Sequence, residues 1–153
     1  MSLTPLLQPG TTLVLSGPAS RDDALRTAAE HAHRALIPSI SADELLALLI
    51  QRESKSSTSV PEGVAFPHAI DPRITTTALI VTRWRTPVEF SASSRPDLIF
   101  TMFGSSEEPW RHVRLLARLA RIIRAPGALG RLRAAEDGEQ LRAALLREDE
   151  SHD

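Results

Sequence analysis

No cysteine occurs in the 153 residues, so neither a disulfide framework nor a thiolate-held metal is open to this chain, and a reducing compartment is permitted. Nowhere do about eighteen apolar residues run together, and residues 1–10 lack a basic stretch followed by an apolar core. The expectation is a cytoplasmic protein without a membrane span or a signal peptide. Of the 18 Lys and Arg residues only Lys55 is a lysine, and the charges nearly cancel, with a formal net charge of −1, so a general nucleic-acid binder is not expected. Glycine-rich phosphate loops, an H-E-x-x-H motif and clustered carboxylates of metal-binding form are missing, and no internal repeat occurs. No cofactor and no metal is implied. The length fits one domain over residues 1–153.

What the chain has is a readable order of elements. Pro5, Pro9 and Gly10 mark a surface lead-in before residues 11–15, a β-branched and apolar run predicted as the first strand. Ser20, followed by Asp22 and Asp23, caps a helix with an apolar stripe of Ala24, Leu25, Ala28, Ala32 and Leu36. His31 and His33 on that helix diverge by about 200°, too far to share a ligand. Pro38 stops the helix, and Ser41-Ala42-Asp43-Glu44 reads as a capping box opening a leucine-rich helix that reaches Arg52. Residues 78–84 are a predicted central strand, 88–90 a short edge strand, and 98–103 the strand expected mid-sheet. A long helix over 110–125 follows, then two shorter ones at 128–135 and 136–147, before an acidic tail, 148–153, expected to fray. Strand, two helices, three or more strands and three helices make a mixed α/β fold, a mixed sheet covered by helices.

The densest chemistry lies in residues 51–70. Val64-Ala65-Phe66 is too short for a helix and follows the turn formers Pro61 and Gly63, so it reads as a short buried strand. Pro67 ends it by fixing its own φ, offering no donor and driving Phe66 extended, which delivers His68 rigidly at a strand end. A histidine there can be a nucleophile, a general base, a metal ligand or a plain turn residue. Arg52 closes the second helix, where a basic side chain complements the helix dipole whatever else it does. Ser54, Ser56, Ser57, Thr58 and Ser59 fill the loop, with Lys55 either drawing in an anion or simply solvated. An arginine, hydroxyls and loop amides suit the oxygens of a phosphoryl group, which suggests phosphoryl chemistry on histidine.

Projection of the long helix at 100° per residue gathers His112, Leu115, Leu116, Leu119, Ile122 and Ile123 on one face and Arg111, Arg114, Arg118, Arg121 and Arg124 on the other. The plain account of His112 is a core histidine hydrogen-bonded to a carbonyl. The arginine face could meet phosphates of nucleic acid or a membrane surface, but in a chain this poor in lysine a solvated arginine face is the default.

Taken together, Arg52-Glu53, Ser57-Thr58 and Gly63-Val64-Ala65-Phe66-Pro67-His68-Ala69 resemble the active-site pattern of the mannitol/fructose type of enzyme IIA domain, which includes nitrogen-regulatory enzyme IIA, of the bacterial phosphoenolpyruvate-dependent phosphotransferase system. Ser59 departs from it, standing where the family usually has glycine. His112-Val113-Arg114-Leu115-Leu116-Ala117-Arg118-Leu119-Ala120 is similar to the helix that carries the family's second histidine. The resemblance covers about residues 5–147 and implies a three-layer fold and a phosphotransferase component. It implies that His68 takes a phosphoryl group from the histidine-containing phosphocarrier protein and later yields it, without a metal ion. It assigns Arg52, Ser57, Thr58 and His112 to the charge of that group. An enzyme IIB or a regulated target protein would lie downstream. A free-standing chain resembles the nitrogen-regulatory type, so transport, regulation by phosphorylation state, and partner binding without chemistry stand as separate readings.

Overall fold

The computed structural model describes residues 1–152. Two mainly apolar segments form β5 (Ala78–Trp84) and β6 (Leu98–Gly104), paired antiparallel from Ala78↔Phe103 to Arg83↔Leu98. Of their residues only Arg83 is not buried, as suits strands covered on both faces. β1 (Thr12–Leu15) adds parallel to β5. On the far side of β6 lie β3 (Val64–Ala65) and β4 (His68–Ile70), both parallel to it, and β2 (Ser59–Val60) turns back antiparallel on β3. The sheet is mixed and six-stranded, with β6 in its middle.

Alternation along the strands divides the core into two layers. Val64, Phe66, Leu79, Val81, Leu98, Phe100 and Met102 pack beneath α3 (Pro109–Arg124), α4 (Ala128–Arg133) and α5 (Gly138–Glu150). Ala69, Ala78, Ile80 and Phe103 pack beneath α1 (Arg21–Ala35) and α2 (Ala42–Lys55). Ser20 and Asp23 form a full capping box on α1. On α2 Ser41 accepts from the Glu44 amide, and the Glu44 carboxylate accepts in return from the Ser41 hydroxyl and from Arg73. His31 and His33 bond separate carbonyls, Thr27 and Ile40, and share nothing.

Four expectations are corrected, in whole or in part. Residues 88–90 form no strand, because Val88 and Phe90 donate to Pro96 and Ser94 within their own loop and only an isolated bridge, Ser20↔Glu89, touches the segment. The lead-in lies only partly on the surface: most of its residues are exposed, but around a 3-10 turn at Thr4–Leu6 Leu3 and Leu7, both fully buried, reach the core. The acidic tail does not fray at residue 148, and the arginine face of α3 is not wholly solvated, for one reason. Asp149 (1% exposed) and Arg118 (5% exposed) meet in the interior, Arg118 Nε donating to Asp149 Oδ1 at 2.8 Å and Nη2 to the Asp149 carbonyl at 2.8 Å. The Leu3 amide donates to the other carboxylate oxygen at 2.9 Å, so α5, α3 and the N-terminal turn are joined by one carboxylate. Removing one member of a buried charge pair strands its partner and typically costs roughly 3–5 kcal/mol. Asp149→Ala is therefore expected to lower unfolding free energy by an amount in that range, read from urea melts; a loss under about 1 kcal/mol would mean that the carboxylate holds nothing together.

Pro67 interrupts a strand without diverting it. The register offset between β3 and β6 is the same as that between β4 and β6, as Val64↔Leu98 and His68↔Met102 show. The Pro67 carbonyl still accepts from Met102 at 2.9 Å, and only the donor that proline lacks is missing from the ladder. His68 thus opens a new strand segment and does not close the previous one. Two-residue alternation sends Val64, Phe66 and His68 to the same face, the one covered by α3.

Candidate functional site

His68 stands at a margin of the sheet, since β4 pairs only with β6. The last turn of α2 flanks it on one side and the first turn of α3 on the other. From α2, Arg52 Nε donates to His68 Nε2 at 2.9 Å, while Arg52 Nη1 donates to the Ser56 carbonyl at 2.8 Å. From α3, the His112 ring lies 4.6 Å from the His68 ring, centroid to centroid, tilted by 46°. His68 Nδ1 is 3.2 Å from the Phe66 carbonyl. A carbonyl only accepts, so Nδ1 carries the proton and Nε2 presents its lone pair to Arg52.

A cleft of about 720 Å³ opens beside these groups. Phe66, Leu116, Ala120 and Ile123 give it apolar walls, and Arg52, Thr58, Glu62, His68 and Arg124 supply polar edges. Gly63, at φ 80°, makes the β2–β3 turn that raises its near wall; an added Cβ there would meet Arg133 at 2.8 Å as well as a strained backbone. A smaller hollow on the other side of His68 is lined by Arg52, Lys55 and Ile70 among others, so the single lysine lies within the positive surroundings of the site.

Arg52, His68 and His112 come together; the loop hydroxyls are arranged differently. Thr58 borders the cleft, yet its amide donates to Glu53 Oε2 at 2.8 Å and its hydroxyl to Glu53 Oε1 at 2.7 Å. Ser57 is exposed, does not line the cleft, and its Oγ accepts from the Ser59 amide. Glu53, only 5% exposed, escaped sequence reasoning as anything beyond part of a motif. The available signal was an acidic residue at an inward position of a leucine-rich helix.

Burial holds the His68 pKa below its ordinary value; Arg52 acts in the same direction, against the Phe66 carbonyl and Glu53. His112 is pushed down to about 4, first by burial, then by the positive charge that His68 and Arg52 place beside it. Among the described residues no hydrogen bond holds its ring, so the carbonyl partner of a core histidine is not what fixes it.

Both shifts have the same consequence for stability. Between pH 6.5 and about 4 the unfolded chain binds protons that the folded His112 refuses, so stability is complete above 6.5 and declines as pH falls toward 4. Melting temperatures taken across that window are expected to fall with pH, and less steeply in His112→Gln. Equal slopes in the two proteins would show that neither His68 nor Arg52 opposes charge on His112.

Residues 6–148 match the family model described as Phosphoenolpyruvate-dependent sugar phosphotransferase system, EIIA 2. The chain belongs to this family. The nitrogen regulatory protein of Bradyrhizobium diazoefficiens is 29% identical over 147 residues, 95% of each chain. The solved nitrogen regulatory protein IIA-Ntr from Neisseria meningitidis has a TM-score of 0.81 at 25% identity, over 94% of this chain and 99% of its own. Enzyme IIA-mannitol, in its complex with phosphorylated enzyme IIB-mannitol from Escherichia coli, shares the fold, with a TM-score of 0.73 at 16% identity over 90% of this chain and 95% of its own. Membership of the EIIA 2 family, whose chemistry is phosphoryl transfer through a phosphohistidine, and the nitrogen regulatory relatives give this chain a phosphocarrier or regulatory role. Among the described residues no helix is long and apolar enough to cross a membrane.

Proposed function

We propose that the protein is a phosphocarrier that accepts a phosphoryl group on His68 Nε2 from the histidine-containing phosphocarrier protein, and whose phosphorylation state is read by a partner. The observation that carries this is the pairing of Arg52 Nε with His68 Nε2 at 2.9 Å beside an open cleft. An unprotonated ring nitrogen there is both a lone pair ready to attack and a point of contact for a guanidinium.

In the transfer, the Nε2 lone pair attacks phosphorus in line, the P–N bond to the donor's imidazole breaks, and that electron pair returns to the donor ring. Nδ1–H stays on the Phe66 carbonyl throughout. Once Nε2 is taken, the Arg52 N–H that had been bonded to it turns to a phosphoryl oxygen. Charge spread over those oxygens is then met by the guanidinium and by His112, whose own pKa rises when a dianion is added beside it. Positioning and electrostatics suffice for such a step.

The regulatory form of the reading is favoured by the relative named a nitrogen regulatory protein, which matches nearly end to end. Onward transfer to an enzyme IIB is the transport form; IIA-mannitol, which shares the fold, forms a complex with its phosphorylated IIB. The test is to mix the protein with phosphoenolpyruvate, enzyme I and the phosphocarrier protein, then map the modification. An acid-labile phosphoryl group on His68 is expected, and its appearance on any other residue, or nowhere, overturns the reading. Adding a IIB protein separates transport from regulation by whether the label moves on.

A further inference from the structure

We propose that Glu53 is a positioning residue for phosphoryl transfer, holding His68 in the Nδ1-protonated tautomer by clamping Thr58. The inference rests on the phosphocarrier reading above. Glu53 lies one residue from Arg52 at the end of α2 but faces inward, and it is 5% exposed. A carboxylate so placed is ordinarily neutralised by a cation. Among the described residues none forms a salt bridge with it; Arg52 is occupied with His68 and Ser56 instead. Both Glu53 oxygens are given to Thr58, one to the amide and one to the hydroxyl. A buried charge spent on a single threonine fixes that residue's backbone more firmly than a surface loop requires.

From Thr58 the connection to the reacting ring is short. The Thr58 carbonyl accepts the Phe66 amide at 3.2 Å, and the Phe66 carbonyl faces His68 Nδ1 at 3.2 Å. Before transfer, two groups dictate the tautomer: Arg52 requires a lone pair on Nε2, and Phe66 requires a proton on Nδ1. During transfer Arg52 must leave Nε2, and the Phe66 carbonyl alone keeps the ring in orientation. The strand that carries that carbonyl is held at its outer edge by Thr58, and Thr58 by Glu53. The negative charge of Glu53 also opposes the effect of Arg52 on His68.

The experiment uses the full chain, labelled with ¹⁵N, above pH 8 where His68 is neutral. Long-range ¹H–¹⁵N correlations report which ring nitrogen holds the proton, and single-turnover transfer from the phosphorylated phosphocarrier protein reports the rate. In Glu53→Ala, where Arg52 alone is left to hold the Nε2 lone pair, the His68 signals are expected to move part of the way from the Nδ1–H pattern toward a mixture of tautomers, with transfer slower by about 10–100-fold, since small misplacements of reacting groups cost that much. Glu53→Gln, which can still accept from the amide and donate to the hydroxyl, is expected to keep both the wild-type tautomer and a rate within about threefold. Thr58→Val, which loses half the clamp, shifts the tautomer in the same direction and serves if Glu53→Ala does not fold. A wild-type tautomer in folded Glu53→Ala or Thr58→Val overturns the proposal, as does a Glu53→Gln protein as slow as Glu53→Ala, which would make the charge and not the clamp the agent. The tautomer measurement needs no phosphoryl donor. Wild-type protein that fails to accept a phosphoryl group therefore ends the phosphocarrier reading separately from the Glu53 inference.

Discussion

His68→Ala is expected to carry no acid-labile phosphoryl group after incubation with phosphoenolpyruvate, enzyme I and the phosphocarrier protein, under conditions that label the wild type fully. The loss should be complete because the neighbourhood holds no substitute. His112 is the nearest imidazole, 4.6 Å away centroid to centroid, but it is not paired with Arg52. With a pKa near 4, it also offers a poorly basic lone pair. The fold should survive, since His68 is half-buried at a sheet margin and its bonds are to the Arg52 guanidinium and one carbonyl. A melting temperature close to wild type would accompany the loss of labelling. Undiminished labelling of the mutant would remove His68 from the chemistry altogether. The wild-type reaction should slow only once pH falls below the ordinary histidine range, since Nε2 must be unprotonated to attack and burial and Arg52 hold its pKa down.

His112→Ala is expected to separate rate from stability in the other sense. Transfer into and out of His68 should slow by about 10²–10³, the usual cost of deleting one donor to developing charge on oxygen. Phosphorylation itself should still reach completion, because the nucleophile is intact. Little stability is expected to be lost: no hydrogen bond among the described residues depends on the His112 ring, so the roughly 1–3 kcal/mol that a buried hydrogen-bonding histidine would forfeit does not apply. Thermal melts and single-turnover transfer measured on the same preparation decide between the two accounts. A large drop in melting temperature with an unchanged rate would return His112 to a packing role and leave Arg52 as the only electrostatic partner of His68.

The parts of this architecture legible in sequence are those governed by local rules. Residues 78–84 and 98–103 announced themselves as strands because apolar and β-branched residues dominate them, and Ser20 and Ser41 marked helix starts through capping chemistry that acts within three residues. Arg52, His68 and His112 could be picked out as candidates by motif, and the fold draws them together across 16 and 44 positions of sequence. What stayed hidden depends on distant partners. Arg118 looked like one more surface arginine until α5 brought Asp149 to it, and Asp149 looked like part of a charged tail for the same reason. Neither could be found from periodicity, which assigns a face but not what covers it. The resumption of the strand at His68 was equally invisible, because Pro67 signals a stop, while the continued ladder is set by β6, more than thirty residues later. The expected role of Thr58 ran into a competitor, Glu53, already holding both of its donors.

The Asp149 carboxylate has a topological consequence. By accepting from the Leu3 amide it brings together points 146 residues apart, so the backbone runs almost as a closed ring with a narrow gap. Joining the two sides of such a gap adds little loop-closure entropy to what folding already demands. A circular permutant could then be opened at an exposed loop such as residues 91–93, far along the chain from both the gap and His68. In that permutant the order in which α2, β4 and α3 leave the ribosome would change while their contacts would not, which makes the site a property of the closed ring and indifferent to where synthesis begins.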